Sequence, residues 1–194
     1  MISSTQRFLD ILLSDTFDNA HDPEHGGLRL SALLATVLSY LEDAGELNDP
    51  RPAYFRDEGS NYAAECHGYA CDIDDDILTL FYCIDATEAT PLSDRAEIQT
   101  VGKEAVDRGF RRLESVVKRT LEGKLDDVEP SQNVSELVTL IKECKEARRS
   151  IEFHVIVTGI VSERAAFSVG TGGYRHEVWD ILRLARTCGS DIGE

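Results

Sequence analysis

The sequence of 194 residues predicts a mixed α/β fold. Two adjacent runs rich in aromatic and β-branched residues, 63–73 and 77–85, are separated by acidic turn formers and predict an antiparallel hairpin. The nearly continuous apolar run IEFHVIVTGIV, residues 151–161, predicts a central strand buried on both faces. Helical patterns surround these runs. We therefore expect one α/β domain over 1–194, with a mixed sheet whose β-hairpin and central strand are flanked by helices.

The N-terminal part, residues 1–47, is predicted to be helical. Residues 48–61 contain two prolines and a glycine and predict a loop. Gly45 is expected to end the second helix in the left-handed conformation. The apolar residues that recur at helical spacing and predict the two helices are Phe8, Leu9, Leu12 and Leu13, and then Leu30, Leu33, Leu34, Val37, Leu38 and Leu41.

The remaining chain, 62–194, is expected to form the α/β core. After the hairpin, helical stripes predict a long helix over 93–121 and a further helix over 134–149. The segment AAFSVGTGG, 165–173, predicts a short edge strand that follows the central one. The closing segment YRHEVWDILRLART, 174–187, places its apolar residues on one side and predicts a terminal helix, in which Asp180 is expected to pair with an arginine.

The charge of the chain disfavours nucleic acid as a partner. With 20 basic and 36 acidic residues the formal net charge is -16, whereas nucleic-acid binding depends on lysines and arginines that neutralise phosphates. Eleven of the 20 basic residues fall between Lys103 and Arg149. We interpret them as a solvated helix face, and they include Arg108, Arg111, Arg112, Lys118 and Arg119.

The N-terminus and the cysteines give information about the cellular location of the protein. The first 18 residues lack a basic region followed by an apolar core, and no stretch approaches the roughly 18 apolar residues that a membrane span requires. The five cysteines are odd in number and irregularly spaced, which disfavours a disulfide framework. We expect a cytoplasmic protein with reduced thiols and no contact with a membrane.

The hairpin segment AECHGYACDIDDDILTLFYCIDA suggests a metal site at first sight. Asp72, Asp74 and Asp76 have the first spacings of a calcium-binding EF-hand loop. The rest of that loop is missing, because Ile77 stands where a glycine is needed and Cys83 where a bidentate glutamate is needed. A hairpin turn explains these aspartates better than a calcium site.

Zinc is the second metal to consider. The candidate ligands are Cys66, His67, Cys71 and Cys83, with His154 from the later strand. The chain has no CxxC knuckle, and adjacent strand residues such as Cys66 and His67 point to opposite faces. We therefore interpret the cysteines as small buried apolar residues and His154 as a core histidine with satisfied hydrogen bonds.

Four segments in order resemble one protein family. They are LEDAGEL, HGYACDIDDDILTLFYCID, IEFHVIVTGIVS and EVWDILRL, and together they resemble the N-terminal domain of the abortive-infection phage-resistance (AIPR) proteins of bacteria. The resemblance implies a role in antiviral defence and a larger parent protein, whose C-terminal part is absent from this chain. It also implies a core similar to the restriction-endonuclease, or PD-(D/E)xK, fold.

The resemblance also implies where a catalytic site would lie. Such nucleases hold a divalent ion between an aspartate on one strand and an acidic residue on the next, followed two positions later by a lysine. Here His67 stands at the aspartate position, and Tyr82, Cys83 and Ile84 stand at the acidic-x-lysine positions. We expect a degenerate, non-catalytic domain without a cofactor, which acts in recognition or assembly. Its partners are expected to be proteins or the rest of the parent chain, and a homo-oligomer is compatible with this role.

Two alternatives stay open. One is a divergent nuclease whose magnesium or manganese ion is held by Glu65, Asp72 and Asp85 from unexpected positions. The other is an unrelated α/β domain with a similar pattern. The nuclease alternative requires the three carboxylates to lie within a few ångströms of one another.

Overall fold

The computed structural model describes residues 3–20, 28–58, 63–72, 76–126, 132–162 and 173–189. These residues form five helices and seven strands, which confirms a mixed α/β fold. The helices are α1 (Ser4–Ala20), α2 (Arg29–Asp43), α3 (Lys103–Leu121), α4 (Gln132–Ala147) and α5 (Ile181–Cys188). The strands are β1 (Arg51–Asp57), β2 (Ala64–Asp72), β3 (Ile77–Ile84), β4 (Thr100–Val101), β5 (Ser150–Val157), β6 (Ile160–Val161) and β7 (Arg175–Trp179).

Five of the strands form one mixed sheet in the order β1-β2-β3-β5-β7. β1, β2 and β3 are antiparallel neighbours, whereas β3, β5 and β7 run parallel to one another. β4 and β6 form a separate parallel pair. The predicted β2–β3 hairpin is confirmed. The predicted strand over 151–161 is confirmed as the interior strand β5, in which every residue after Ser150 is buried, but it ends at Val157 and Ile160 and Val161 belong to β6.

Helices cover both faces of the sheet, because side chains alternate between faces along each strand. On one face, Tyr69, Leu80 and Phe153 pack against α3 and α4. On the other face, Phe81 and Ile156 pack against α1, α2 and α5. Full burial of each such side chain contributes about 1.5–3 kcal/mol, so both layers stabilise the sheet.

The first correction concerns β1, which lies inside the segment predicted to be a loop. Pro52 misled the prediction, but β1 is an edge strand, where a proline is tolerated because one side of the strand has no ladder partner. Ala53 and Phe55 are buried and fix the strand to the core. The register with β2 shifts between Pro52 and Phe55.

The second correction concerns the predicted terminal helix. Residues 175–179 are the strand β7, which pairs with β5, and the helix begins only at Ile181. Asp180 separates the two as an extended N-cap residue whose carboxylate accepts a hydrogen bond from the backbone N–H of Arg183 at 2.9 Å. The predicted pairing of Asp180 with an arginine side chain is therefore wrong for Arg183, whose guanidinium donates to Glu177 instead.

The third correction concerns the long helix predicted over 93–121. It begins at Lys103, because Thr100 and Val101 form β4 instead and pair with Ile160 and Val161. Residues 165–172 of the predicted edge strand lie outside the described residues. No helix within the described ranges combines the length and the apolar character that crossing a membrane requires.

Candidate functional site

A cavity of about 260 Å³ lies where β2 begins and β3 ends. The antiparallel hairpin brings these two strand ends together, so His67 and Cys83, which are 16 positions apart, meet there. Arginines from α2, β1 and α3, namely Arg29, Arg56 and Arg112, also reach the cavity. Six of the seven site residues predicted from the sequence line it: Glu65, His67, Tyr82, Cys83, Ile84 and Asp85.

His67 and Glu65 form the centre of a closed hydrogen-bond network. The ring Nδ1 of His67 accepts a hydrogen bond from the backbone N–H of Cys83 at 2.9 Å, so in the neutral ring the proton lies on Nε2. That Nε2 lies 3.0 Å from Oε1 of Glu65. The second oxygen of Glu65 accepts from Arg112, which also donates to the Tyr82 hydroxyl at 2.8 Å.

Packing fixes the orientation of this network. The His67 ring is stacked between Tyr54 and Tyr82, with ring centroids 5.3 Å and 4.6 Å away. Gly109 of α3 lies against Tyr82, and a Cβ at that position would come within 2.7 Å of the tyrosine ring. The glycine therefore lets α3 approach the sheet closely enough for Arg112 to reach Glu65.

The electrostatics of the cavity favour an ionised Glu65 and protonated thiols. Burial alone would raise the pKa of Glu65, but the His67 hydrogen bond and the charges of Arg112 and Arg56 lower it overall. Burial raises the pKa of the Cys66 thiol to about 12, and it raises the pKa of the Cys83 thiol as well. Neither cysteine is therefore a nucleophile at neutral pH.

Asp85 is held on the other face of the sheet. Its Oδ2 accepts a hydrogen bond from Nε of Arg29 at 2.6 Å, and its Oδ1 accepts from the backbone N–H of Thr87 at 2.8 Å. Arg29 belongs to α2, whereas Arg112 belongs to α3 on the opposite face. The carboxylates of Glu65 and Asp85 therefore line one cavity but are each bound to an arginine from a different layer.

Asp72 does not line this cavity. It ends β2, at the turn end of the hairpin, where its carboxylate accepts a hydrogen bond from Asn48 at 2.7 Å. The predicted turn aspartate Asp74 lies outside the described residues, and Asp76 forms an ion pair with Arg149 at 3.0 Å. Among the residues that the structure describes, Glu65, Asp72 and Asp85 do not converge, and neither do the cysteines and histidines considered for zinc.

The predicted solvated face of α3 is partly wrong. Arg112 turns inward to Glu65, and Arg119 donates to the carboxylate of Asp57 on β1. Arg108, Arg111 and Lys118 are exposed, as expected. The two inward arginines were missed because the helical pattern identifies the polar face but not the carboxylates of distant strands that meet it.

A second cluster, which the sequence patterns did not indicate, lies on the neighbouring strands β5 and β7. Glu152 and His154 project from one face of β5, and Glu177 is the register partner of His154 on β7. One ligand atom from each of the three lies within 4.8 Å of the others. The prediction of a helix over 174–187 hid this cluster, although the Glu-x-His pattern of β5 repeats that of Glu65 and His67.

His154 is only partly satisfied, contrary to the expectation of a satisfied core histidine. Its Nδ1 accepts a long hydrogen bond of 3.3 Å from Nε1 of Trp179, and its buried Nε2 has no hydrogen-bond partner among the residues that the structure describes. Oε2 of Glu152 lies 3.5 Å from that nitrogen. The His154 contact lowers the pKa of Glu152, burial opposes this effect, and Arg175 adds to it.

The comparison with protein families is decisive for identity. The family model of the abortive infection phage resistance protein N-terminal domain matches residues 33–186. The chain belongs to this family. A search of curated proteins and a search of solved structures each give no match.

The match to the phage-resistance N-terminal domain spans most of the described fold. It begins inside α2 and ends inside α5, so it includes both the hairpin-end cavity and the cluster on β5 and β7. α1 precedes the match, yet its Leu9 and Leu12 are fully buried in the layer shared with α2 and α5. The family assignment confirms the resemblance and leaves the roles of the individual site residues as predictions.

Proposed function

We propose that this phage-resistance N-terminal domain is a nuclease-like module without nuclease activity, which serves a defence protein in recognition or assembly. The observation that carries the proposal is the closed network in the hairpin-end cavity. A nuclease would keep its metal-binding carboxylates here, whereas Glu65 and Asp85 are bound to Arg112 and Arg29.

The arginines argue against a magnesium ion in the cavity. Magnesium in such sites relies on one or two carboxylates together with substrate phosphates, and it keeps several of its waters. An ion would have to displace a guanidinium from Glu65 or Asp85, both of which are almost completely buried. Among the described residues, the cavity lining includes no lysine that could orient an attacking water.

The sheet is compatible with a restriction-endonuclease-like core. The antiparallel hairpin β2–β3 and the parallel strand β5, reached through α3 and α4, lie at its centre. His67 and Tyr82 then occupy the positions of the metal-binding residues, where they stack on each other. The two positions that would carry metal-binding carboxylates in a nuclease carry two stacked rings here.

The net charge of -16 supports a protein partner over DNA, since an acidic surface repels phosphates. The cytoplasmic location and the absence of a cofactor are parts of the same proposal. The divergent-nuclease alternative has less support, because Asp72 lies at the other end of the hairpin from Asp85 and Glu65.

The proposal is tested by incubating the chain with supercoiled plasmid and Mg²⁺ or Mn²⁺. We expect no nicking and no binding to duplex DNA at moderate salt, measured by gel electrophoresis and fluorescence anisotropy. Metal-dependent cleavage that disappears in Asp85→Asn or Asp72→Asn would overturn it.

A second experiment tests the role in defence with a mild variant. Asp72 contacts Asn48 near the surface and is outside the cavity, so Asp72→Asn is expected to fold normally. Phage plaques are counted on cells that carry the whole reading frame with or without this change. We expect equal protection, whereas the nuclease alternative requires protection to be lost.

A further inference from the structure

We propose that Glu152, His154 and Glu177 form a binding site for a divalent transition-metal ion of the zinc class. This goes beyond the proposed function, because the site lies toward the first residues of β5, away from the hairpin-end cavity. The three residues are hereafter the β5–β7 cluster. Two carboxylates and one imidazole are a ligand set that zinc and its neighbours in the first transition row accept.

The backbone already places the three side chains together. Glu152 and His154 are two positions apart on β5 and therefore share a face, and Glu177 lies opposite His154 on the parallel neighbour β7. Ligands on adjacent strands of a buried sheet are held rigidly, which favours a defined coordination geometry.

The unpartnered nitrogen of His154 points to a missing ligand. The residue is 7% exposed, and within the described part of the chain its buried Nε2 makes no hydrogen bond. Such atoms are rare in folded proteins, because leaving one unsatisfied costs free energy. This nitrogen faces the carboxylates of the cluster, with Oε2 of Glu152 at 3.5 Å.

That separation suits two ligands of one ion better than a hydrogen bond. Zinc binds nitrogen and oxygen at about 2.0–2.2 Å, so two ligands of a tetrahedral site lie about 3.4 Å apart. A good hydrogen bond between these atoms would be shorter, at about 2.7–3.0 Å. Three protein ligands leave at least one coordination position for water.

Arg175 is the competitor that an ion must displace. Its guanidinium donates to Oε1 of Glu177 at 2.7 Å and lies 3.4 Å from Oε1 of Glu152. The Arg175 side chain is 66% exposed, so it can move into solvent at little cost. Arg183 holds the other oxygen of Glu177 at 2.8 Å while lying over the Trp179 ring, and it can stay in place.

Metal binding would change the surroundings of Trp179. In the neutral His154 ring the proton lies on Nε2, because Nδ1 accepts from the indole of Trp179. An ion at Nε2 requires this proton to move to Nδ1, and the 3.3 Å hydrogen bond from Trp179 is then lost. Trp179 is the single tryptophan of the chain and therefore reports on this site alone.

The site is tested by titrating the chelator-treated chain with Co²⁺, followed by Zn²⁺ in competition. We expect one ion per chain, quenching of Trp179 fluorescence by Co²⁺, and reversal of the quenching by Zn²⁺. The visible spectrum of bound Co²⁺ distinguishes oxygen and nitrogen ligands from the thiolates of the five cysteines.

Two variants with opposite expected effects make the test specific. Glu177→Gln keeps the shape of a half-buried side chain but removes a ligand, and it should weaken binding by roughly tenfold or more. Arg175→Gln removes the competing cation and should tighten binding by up to about fivefold, the size of an exposed ion pair. Glu146→Gln, an exposed change on α4, is the control and should leave the affinity unchanged.

The proposal is overturned if Co²⁺ and Zn²⁺ leave Trp179 fluorescence unchanged in both the natural chain and Arg175→Gln. It is also overturned if Glu177→Gln and Glu146→Gln bind the ion equally well. In either case the β5–β7 cluster is only a charge network, in which Arg175 occupies the position of the cation.

Discussion

Two buried Glu-x-His pairs in the same sheet differ in how fully their polar atoms are hydrogen-bonded. In the pair on β2, Glu65 and His67 have all their ring nitrogens and carboxylate oxygens bonded to neighbours. In the pair on β5, Nε2 of His154 has no hydrogen bond to any residue of the described ranges. A second carboxylate, from Glu177, also lies beside that pair. The same local sequence therefore gives a closed network in one place and an open ligand set in the other.

The difference comes from the strands beside each pair. The β2–β3 ladder ends at Gly68 and Phe81, so the backbone N–H of Cys83 is available to donate to His67. β5 is paired along its length with β3 and β7, and its ladder uses the backbone groups near His154. Of the residues described, the side chain of Trp179 alone donates to that ring, and it does so at a distance of 3.3 Å.

The largest expected loss of stability comes from breaking the closed hydrogen-bond network around Glu65 and His67. Arg112→Met keeps much of the apolar stem but leaves the Glu65 carboxylate buried without its counter-charge, which should lower the free energy of unfolding by about 3 kcal/mol. Urea denaturation measures the loss. Arg111→Met, an exposed change on the same helix, should cost less than about 0.5 kcal/mol. Equal losses in the two variants would show that the network contributes no specific stability.

An intermediate effect is expected from pH. The pKa of Glu65 is lower in the folded chain than in the unfolded one, so its contribution to stability is present above about pH 4.3 and is lost as the pH falls further. The loss amounts to about 1.4 kcal/mol for each unit of pKa difference. Between pH 6 and pH 3.5, the free energy of unfolding measured by urea denaturation should therefore fall more for the natural chain than for Glu65→Gln. Parallel pH curves would contradict the proposed ionisation of Glu65.

The smallest effect on stability is expected at the pair on β5, Glu152 and His154. Arg175→Gln removes exposed ion contacts and should change the free energy of unfolding by less than about 1 kcal/mol in metal-free buffer. Thermal or urea denaturation of Arg175→Gln and Arg112→Met under the same conditions ranks the two losses of stability. If Arg175→Gln is as destabilising as Arg112→Met, the β5–β7 cluster is a closed network like the first, and the contrast between the two pairs fails.

The elements at the centre of the fold could be predicted because their apolar runs are unambiguous. β2, β3 and β5 were found from strand composition, and the positions of His67 and Tyr82 in one cavity follow from the hairpin. The edge elements could not be found in the same way. Pro52 in β1 and Pro50 just before it are typical of a loop. The apolar residues of β7 and α5 together have the pattern of one helix, although Asp180 before Ile181 is a recognisable N-cap signal.

The partners of the site residues could not be predicted. Arg29 and Arg112 are 56 and 47 positions from the carboxylates they bind, and nothing local in the sequence connects them. Glu177 was missed for a related reason, because its strand was predicted to be a helix and its pairing with β5 was not considered. Local patterns identify which residues are polar on a given face, but the tertiary fold decides which charges meet.

The proline in β1 affects whether the edge of the sheet can pair with a strand of another molecule. An unpaired strand edge is a template for addition of a strand from another chain, and proteins protect such edges with prolines, bulges or a covering element. β1 combines all three, since Pro52 lacks an N–H, the register shifts beside it, and Asn133 of α4 donates to its carbonyl oxygen at 2.8 Å. These features disfavour the addition of a strand from another chain at this border of the sheet.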